Sequence, residues 1–430
     1  MPADPSMSVR TDLSAEFKLI TLCCRAAIDV LTCGRQPDPA IVSSVISLAS
    51  TLSPPEKAAE RIVELCRSHQ TGPLAYRGLV AMFLPAPCDP DRTVPPGILH
   101  ELLAALESHY LANVLRNEWR KTRLLTILEW FAAAGIRAVP FKGPVMGWQI
   151  YGDIALRPSS DLDFILHVED LLRARELLES KDFRSLRTMT AAEDAIWRRS
   201  GCGYDMGSPD GEFTVDIAAG ATPDFLPYSL RADEFWKQTR EIEFNGQPLK
   251  AMSPELQLIF LCWHGTKHMW EKLVWVADLH AVMLQPPGLD WAVVQRLADR
   301  SKTVRMLYTG LRVMQSVFNT PLPEEIRSAL EHEKATVDLA SMCLRRLADG
   351  EGAKTGWLQE QIFYLRMRTT MTERLGYIMK AMSRPTTSDC QIIGLPPWLF
   401  GLYYVVRPFR LVFKVAGKIL QGNRSRPELT

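Results

Sequence analysis

The stretch Phe141–His167 limits what this chain can fold into more than any other part of it. It reads as a short strand, a glycine turn, one helix, a loop, and a second strand that opens with Asp161 and Asp163. Residues i and i+2 of a strand point to the same face. The two carboxylates therefore stand side by side, while Leu162, Phe164 and Leu166 take the opposite, buried face. Like charges at that spacing repel unless a cation lies between them. A divalent metal meets the need, and magnesium suits a ligand set made only of oxygens. An isolated Asp-x-Asp is more often a turn cap beside a solvated edge residue. Here a lysine–glycine turn precedes the pair and a third carboxylate follows on a later strand, which favours the metal.

The remaining composition sets bounds. A chain of 430 residues with 47% hydrophobic and 23% charged side chains builds a globular protein of two or three domains. A formal net charge of +1 argues against a dedicated nucleic-acid binder. The nine cysteines contain no Cys-x-x-Cys, so they are expected reduced and buried, as in the cytoplasm. The start lacks a basic-then-apolar signal pattern, and no apolar run reaches the roughly 18 residues of a spanning helix.

The organisation expected along the chain is a helical N-terminal region over 1–95, a core over 96–250 and a helical C-terminal region over 251–430. Residues 1–12 read as a flexible start and 85–96 as a proline-rich connector. A long helix runs over 96–134, with Leu111, Leu115, Trp119, Leu125, Leu128 and Phe131 as its apolar stripe and Gly135 as its stop. Ile136–Phe141 forms the first strand, in spite of Pro140. Gly143 permits close backbone approach, and Pro144 suits a first helical position. The free amides of that helix start make a phosphate site. Gly203–Met206 pairs with Glu212–Ile217 across the turn Ser208-Pro-Asp-Gly211. Asp216 falls on the polar face of the second of these strands and is a candidate third ligand; a plain solvent-facing aspartate is the alternative.

From Ser253, a helix cap followed by Pro254, the pattern is helical again. His264 and His268 share a helix face with Lys267 nearby. The glutamate of the zinc-protease motif is missing from His264-Gly-Thr-Lys-His268, so the histidines and Lys267 are expected to face the phosphate pocket rather than zinc. The other reading is structural, with the histidines satisfied by carboxylates such as Asp278. The tail joins an apolar run from Pro396 to Val406 with Arg407, Arg410, Lys414, Lys418, Arg424 and Arg426. Packing on the core is favoured for it over a helix lying in a membrane surface, though its basic charge also suits weak membrane-surface contact.

Together, Phe141-Lys-Gly143, Tyr151-Gly-Asp153, Arg157 and Ser160-Asp-Leu-Asp-Phe164 resemble the bacterial nucleotidyltransferase family of the polymerase-beta superfamily that carries Lys-Gly before an Arg…Asp-x-Asp segment. Ser253-Pro-Glu255, His264, His268, Leu273, Trp275 and Asp278 are similar to that family's second block, and Leu395-Pro-Pro397 with Arg407-Pro408 to its tail. The resemblance implies an α+β fold, with a small mixed β-sheet nucleotidyltransferase core flanked by N-terminal and C-terminal helical regions. It implies two Mg2+ ions on Asp161 and Asp163, one shared with Asp216, which would be the general base. It further implies that a nucleoside triphosphate, ATP for choice, is bound by Lys142, Gly143, Arg157 and Ser160. Two departures stand out. The superfamily has Gly-Ser or Gly-Gly where this chain has Lys142-Gly143, and Ala218 stands where a histidine often follows the third carboxylate.

The function expected is transfer of a nucleoside monophosphate to a hydroxyl of a small molecule or a protein or peptide, with pyrophosphate leaving and no specific nucleic acid involved. The alternatives are a catalytically degenerate nucleotide-binding module that regulates a protein partner, and a membrane-surface scaffold built on the basic tail.

Overall fold

The computed structural model describes residues 13–84, 97–187, 203–218, 232–350, 356–383 and 397–410. The expected flexible start, the connector over 85–96 and the basic residues beyond 410 lie outside these. The fold is mixed α+β with helical flanks.

Four helices, α1 (Ala15–Cys33), α2 (Pro39–Thr51), α3 (Pro55–Ser68) and α4 (Gly72–Phe83), come first. Ser14 starts α1 by accepting a hydrogen bond from the Phe17 amide, and Gly34 ends it in the left-handed conformation. The crossing of α1 and α4 depends on Gly78. A Cβ there would lie 1.9 Å from the Cys23 carbonyl oxygen. The oxygen is backbone and the Cβ is fixed to backbone, so neither can move aside. Gly78→Ala is therefore expected to cost about 3 kcal/mol or to prevent folding. Gly356→Ala, which meets open space, should leave the denaturation midpoint unchanged. Equal midpoints for the two variants would refute the close crossing.

Helix α5 (Ile98–Ala133) has 36 residues. Its buried stripe is Leu99, Leu102 and Leu106, then Asn113, Asn117 and Arg120, then Leu124, Ile127 and Phe131. The spacing of three and four residues is that of one helix face, but the middle third is polar. The expected stripe needs correction here: Leu111 and Leu115 are 53% and 73% exposed. Hydrophobic periodicity could not see the true face, because amide and guanidinium groups occupy the middle of it.

The sheet order is β1-β2-β5-β4-β3, with β1 (Ala138–Phe141), β2 (Asp161–Leu166), β3 (Arg184–Ser185), β4 (Tyr204–Gly207) and β5 (Thr214–Ala218). β1 is an edge strand, which is where a proline such as Pro140 is tolerated. β2 runs antiparallel to β1 and parallel to β5, with Asp163 opposite Asp216. β4 is antiparallel to β5 and sets Asp205 opposite Asp216. Helix α6 (Gly143–Tyr151) joins β1 to β2 through a 3-10 turn at Ile154–Leu156, and α7 (Leu171–Glu179) follows β2. Leu162, Phe164, Val215 and Ile217 build a core with Phe131 of α5 and Leu178 of α7.

After α8 (Ala232–Lys237), a hairpin of β6 (Thr239–Phe244) and β7 (Gln247–Met252) turns at Asn245-Gly246. Both turn residues have positive φ, the geometry that Asn-Gly favours. Helices α9 (Pro254–Lys267), α10 (Leu273–Leu284), α11 (Trp291–Ser301), α12 (Val304–Phe318), α13 (Glu324–His332), α14 (Ala335–Asp349), α15 (Trp357–Arg366) and α16 (Met371–Ser383) follow, and a 3-10 turn over Pro397–Leu402 leads into helical residues 403–410. Side chains from α1–α4 and from α9–α14 form one continuous hydrophobic cluster. The N-terminal helices are thus packed into the same core as the C-terminal ones. Near the end, Tyr403 is buried while Leu402, Tyr404, Val405 and Phe409 are exposed. Among the described residues no helix is long and apolar enough to cross a membrane.

Candidate active site

The site forms where β2 and β5 begin. Strand alternation puts Asp161 and Asp163 on one face, and the parallel register brings Asp216 beside Asp163. One carboxylate oxygen from each of the three lies within 4.8 Å of the others. Asp163 is 3% exposed. Its Oδ1 accepts a 2.6 Å bond from Lys142 Nζ, while its Oδ2 is buried with no partner. A buried oxygen without a partner, set between two further carboxylates, fits a divalent cation with oxygen ligands.

Burial pushes the Asp163 carboxyl up to about 6, with Lys142 opposing and Asp161 reinforcing. Asp216 is pushed up to about 8, by burial first and then by the Asp163 and Asp205 charges and a hydrogen bond with Asp205. Burial alone would lower the Lys142 ammonium, yet the carboxylates of Asp163 and Asp161 carry it above the ordinary lysine range. Lys142 is the resident counter-ion of the cluster.

Its backbone is unusual. Lys142 has φ +59° and ψ −158°, a region that is essentially glycine's and costs other residues about 1–3 kcal/mol. The lysine thus stands in a glycine conformation at the head of α6. Gly143 follows with φ +49°, and a Cβ there would lie 3.6 Å from the Asp161 carbonyl oxygen. The turn brings the first amides of α6 beside the start of β2.

Helix α5 fixes the loop between α6 and β2. Asn113 Nδ2 donates to the Ala155 carbonyl at 2.6 Å. Asn117 Nδ2 donates to the carbonyls of Ile154 and Arg157 at 2.6 and 2.9 Å, and its Oδ1 accepts from Ser159 at 3.1 Å. The polar third of α5 is thereby explained: it holds backbone rather than apolar side chains. Ser160 is exposed, and its hydroxyl donates to Asp161 Oδ1 at 3.3 Å.

Arg157 is buried, and its Nε donates to Asp278 Oδ2 at 2.9 Å. Tyr151 donates to Asp278 Oδ1 at 2.8 Å. Asp278, on α10, is therefore taken by an arginine and a tyrosine and not by the histidines. Burial opposes the Arg157 charge, but Asp278 outweighs it and holds the guanidinium above its ordinary value.

His264 lies half-buried beside Phe260 and against the rings of His268 and Trp275, both 5.0 Å away. Burial, Lys142 and His268 hold its pKa well below the ordinary histidine value. His268 is pushed down to about 4 by burial and then by Lys267 and Lys142. Both rings are neutral at pH 7. Lys267 is lowered by burial and Lys142, with Asp216, Asp163 and Asp205 pulling the other way. Its charge is thus within electrostatic reach of the acidic cluster.

The structure brings Asp161, Asp163, Asp216, Lys142 and Gly143 together, and sets Lys267 and His264 around them. It adds Asp205, whose Oδ2 also pairs with Arg187 Nε at 3.1 Å. The hairpin turn at 208–211 carried the signal for Asp205, since it fixes which residue of β4 faces Asp216.

No curated protein and no solved structure matches the chain. Residues 55–319 match the model of a family described as an uncharacterised nucleotidyltransferase. That span is more than half of the sequence and runs from α3 through the whole sheet to the end of α12. With its three carboxylates on adjacent parallel strands inside the matched span, the chain belongs to this nucleotidyltransferase family.

Proposed function

We propose that the protein transfers a nucleoside monophosphate from a nucleoside triphosphate, ATP for choice, to a hydroxyl-bearing acceptor in a magnesium-dependent reaction that releases pyrophosphate. The observation that carries this is the unpartnered, buried Asp163 Oδ2 set within the group of Asp161, Asp163 and Asp216. Asp161, Asp163 and Asp216 would hold magnesium, which supplies Lewis-acid polarisation of the α-phosphate and a more acidic acceptor hydroxyl.

The chain's own residues do the rest. Lys142 and the first amides of α6 present positive groups to the triphosphate oxygens. Lys267, within reach of the same cluster, neutralises charge on the departing pyrophosphate. Asp216, beside Asp163 in the register of β2 and β5, would be the general base that takes the proton of the acceptor hydroxyl. Arg157 acts from inside the fold, its charge favouring ionised Asp163. Ser160 orients Asp161. His264 and His268, being neutral, contribute hydrogen bonds and ring contacts rather than charge. The free, buried thiols of Cys23, Cys24, Cys66, Cys262 and Cys343 fit a reducing compartment, the cytoplasm.

The test is pyrophosphate release from labelled triphosphates in the presence of a cell extract, with and without magnesium and across pH. Asp163 and Asp216 have folded-state pKa values above their unfolded ones. The stability they contribute is complete below about pH 4 and is lost as pH rises through about 6 and then about 8. The metal-free protein should therefore lose stability over that window, and magnesium should raise its melting temperature more at pH 8 than at pH 5. Turnover should climb over the same range. Nucleotide binding that ignores magnesium and yields no pyrophosphate would put the regulatory binding module in front.

A further inference from the structure

A cavity of about 370 Å³ lies between the α3–α4 junction and α5. Arg67, His109, Ala112, Asn113, Arg116 and Pro158 are among its lining residues. Its walls are mostly apolar, and its charged groups are cationic. Two of its lining residues lie close along the chain to groups at or near the carboxylates. Pro158 is three residues from Asp161, at most about 10 Å of chain. Arg116 lines the cavity, and Arg120, just outside its lining, is one turn further on the same face of α5, about 6 Å along the axis.

Arg120 is the telling residue. It is 9% exposed, and its Nε and Nη1 are buried without a hydrogen-bond partner. Among the described residues no ion pair joins it to a carboxylate, although Asp161 is the acid that favours its charge. A buried guanidinium with two idle N–H groups is costly until an anion completes it. His109, held below its ordinary value by burial and by Arg67 and Arg116, adds a neutral hydrogen-bonding ring. The triphosphate is already served by Lys142, the α6 amides and Lys267, and apolar walls suit an organic body rather than a polyphosphate.

We propose that this cavity receives the acceptor, a small hydroxylated molecule with an apolar body and a phosphate or carboxylate group, and that Arg120 and Arg116 hold the anion. The role as acceptor rests on the nucleotidyl-transfer reading above; the anion site does not. In the reaction the acceptor oxygen bonds to the α-phosphorus, the bond from that phosphorus to the bridging oxygen breaks, pyrophosphate leaves, and the hydroxyl proton passes to Asp216.

The test is calorimetric titration of phenyl phosphate, and in parallel benzoate, into the full chain saturated with magnesium and a non-hydrolysable ATP analogue. At least one probe should bind. Arg120→Gln, Arg116→Glu and the cavity-filling Ala112→Trp should each weaken it by about tenfold or more, while affinity for the ATP analogue changes by less than about threefold. Arg116 is exposed, so its variant keeps the test decisive even where Arg120→Gln fails to fold. Absence of binding by both probes below about 10 mM, or equal losses for probe and ATP analogue, would overturn the assignment. A probe that binds the wild type as expected while the ATP analogue does not bind would keep the anion site and remove the nucleotidyl-transfer reading.

Discussion

Asp163→Asn is expected to slow magnesium-dependent pyrophosphate release by about a thousandfold or more while leaving thermal melting unchanged or slightly raised. The two halves have separate causes. Activity falls because the variant lacks the anionic ligand at the centre of the triad, so charge on the reacting triphosphate is poorly neutralised. Stability holds because the ionised form of Asp163 is disfavoured in the fold. Its pKa is raised to about 6 by burial, so at pH 7 the carboxylate weakens the metal-free protein. Asparagine removes that burden. It also removes the 2.6 Å pair with Lys142, but Asp161 and Asp216 still act on the ammonium. The measurement pairs a turnover assay with melts in the presence and absence of magnesium, and magnesium should stabilise only the wild type. A normally melting Asp163→Asn protein that turns over at the wild-type rate would eliminate the metal site.

The second large effect concerns stability. Asp278→Ala should cost about 3–5 kcal/mol, because it leaves a buried arginine without its counter-ion. Arg157 and Tyr151 both depend on Asp278, which has no solvent exposure. Arg157 begins the loop into Asp161, so turnover should also fall. Tyr151→Phe, which removes one hydrogen bond, should cost only about 1 kcal/mol. Chemical denaturation of the three proteins checks both values. An Asp278→Ala midpoint close to that of the wild type would mean that the ion pair is not structural.

Asp161 and Asp163 were legible in the sequence because strand alternation is a local rule acting over two residues. The polar face of Asp216 was legible for the same reason. Its place beside Asp163 was expected as that of a third ligand, through the resemblance rather than a local rule, since it follows from a parallel register between strands about fifty residues apart. Arg157 shows a similar limit. The phosphate role that the resemblance implied for it could not anticipate a partner 121 residues away. Asn117 and Arg120 were not legible, because apolar periodicity carries no signal for a polar stretch of a buried helix face. The β6–β7 hairpin is announced by Asn245-Gly246, whose positive φ angles suit a tight turn. The shared core of the first and last helices had no local signal, as each helix shows an apolar face without showing what covers it.

Helix α5 has a mechanical consequence. Thirty-six residues make a rod of about 54 Å, and the stretch from Ile98 to Ala133 contains neither glycine nor proline. One end is embedded in the helical core and the other in the sheet core. A rod without a weak point does not kink where the loop from α6 to β2 rests on it. The helical flanks and the sheet therefore cannot close on substrate like two jaws about a pivot in α5. Admission of substrate falls to short-range movement of loops around a stationary frame, and heating should melt sheet and flanks in a single step.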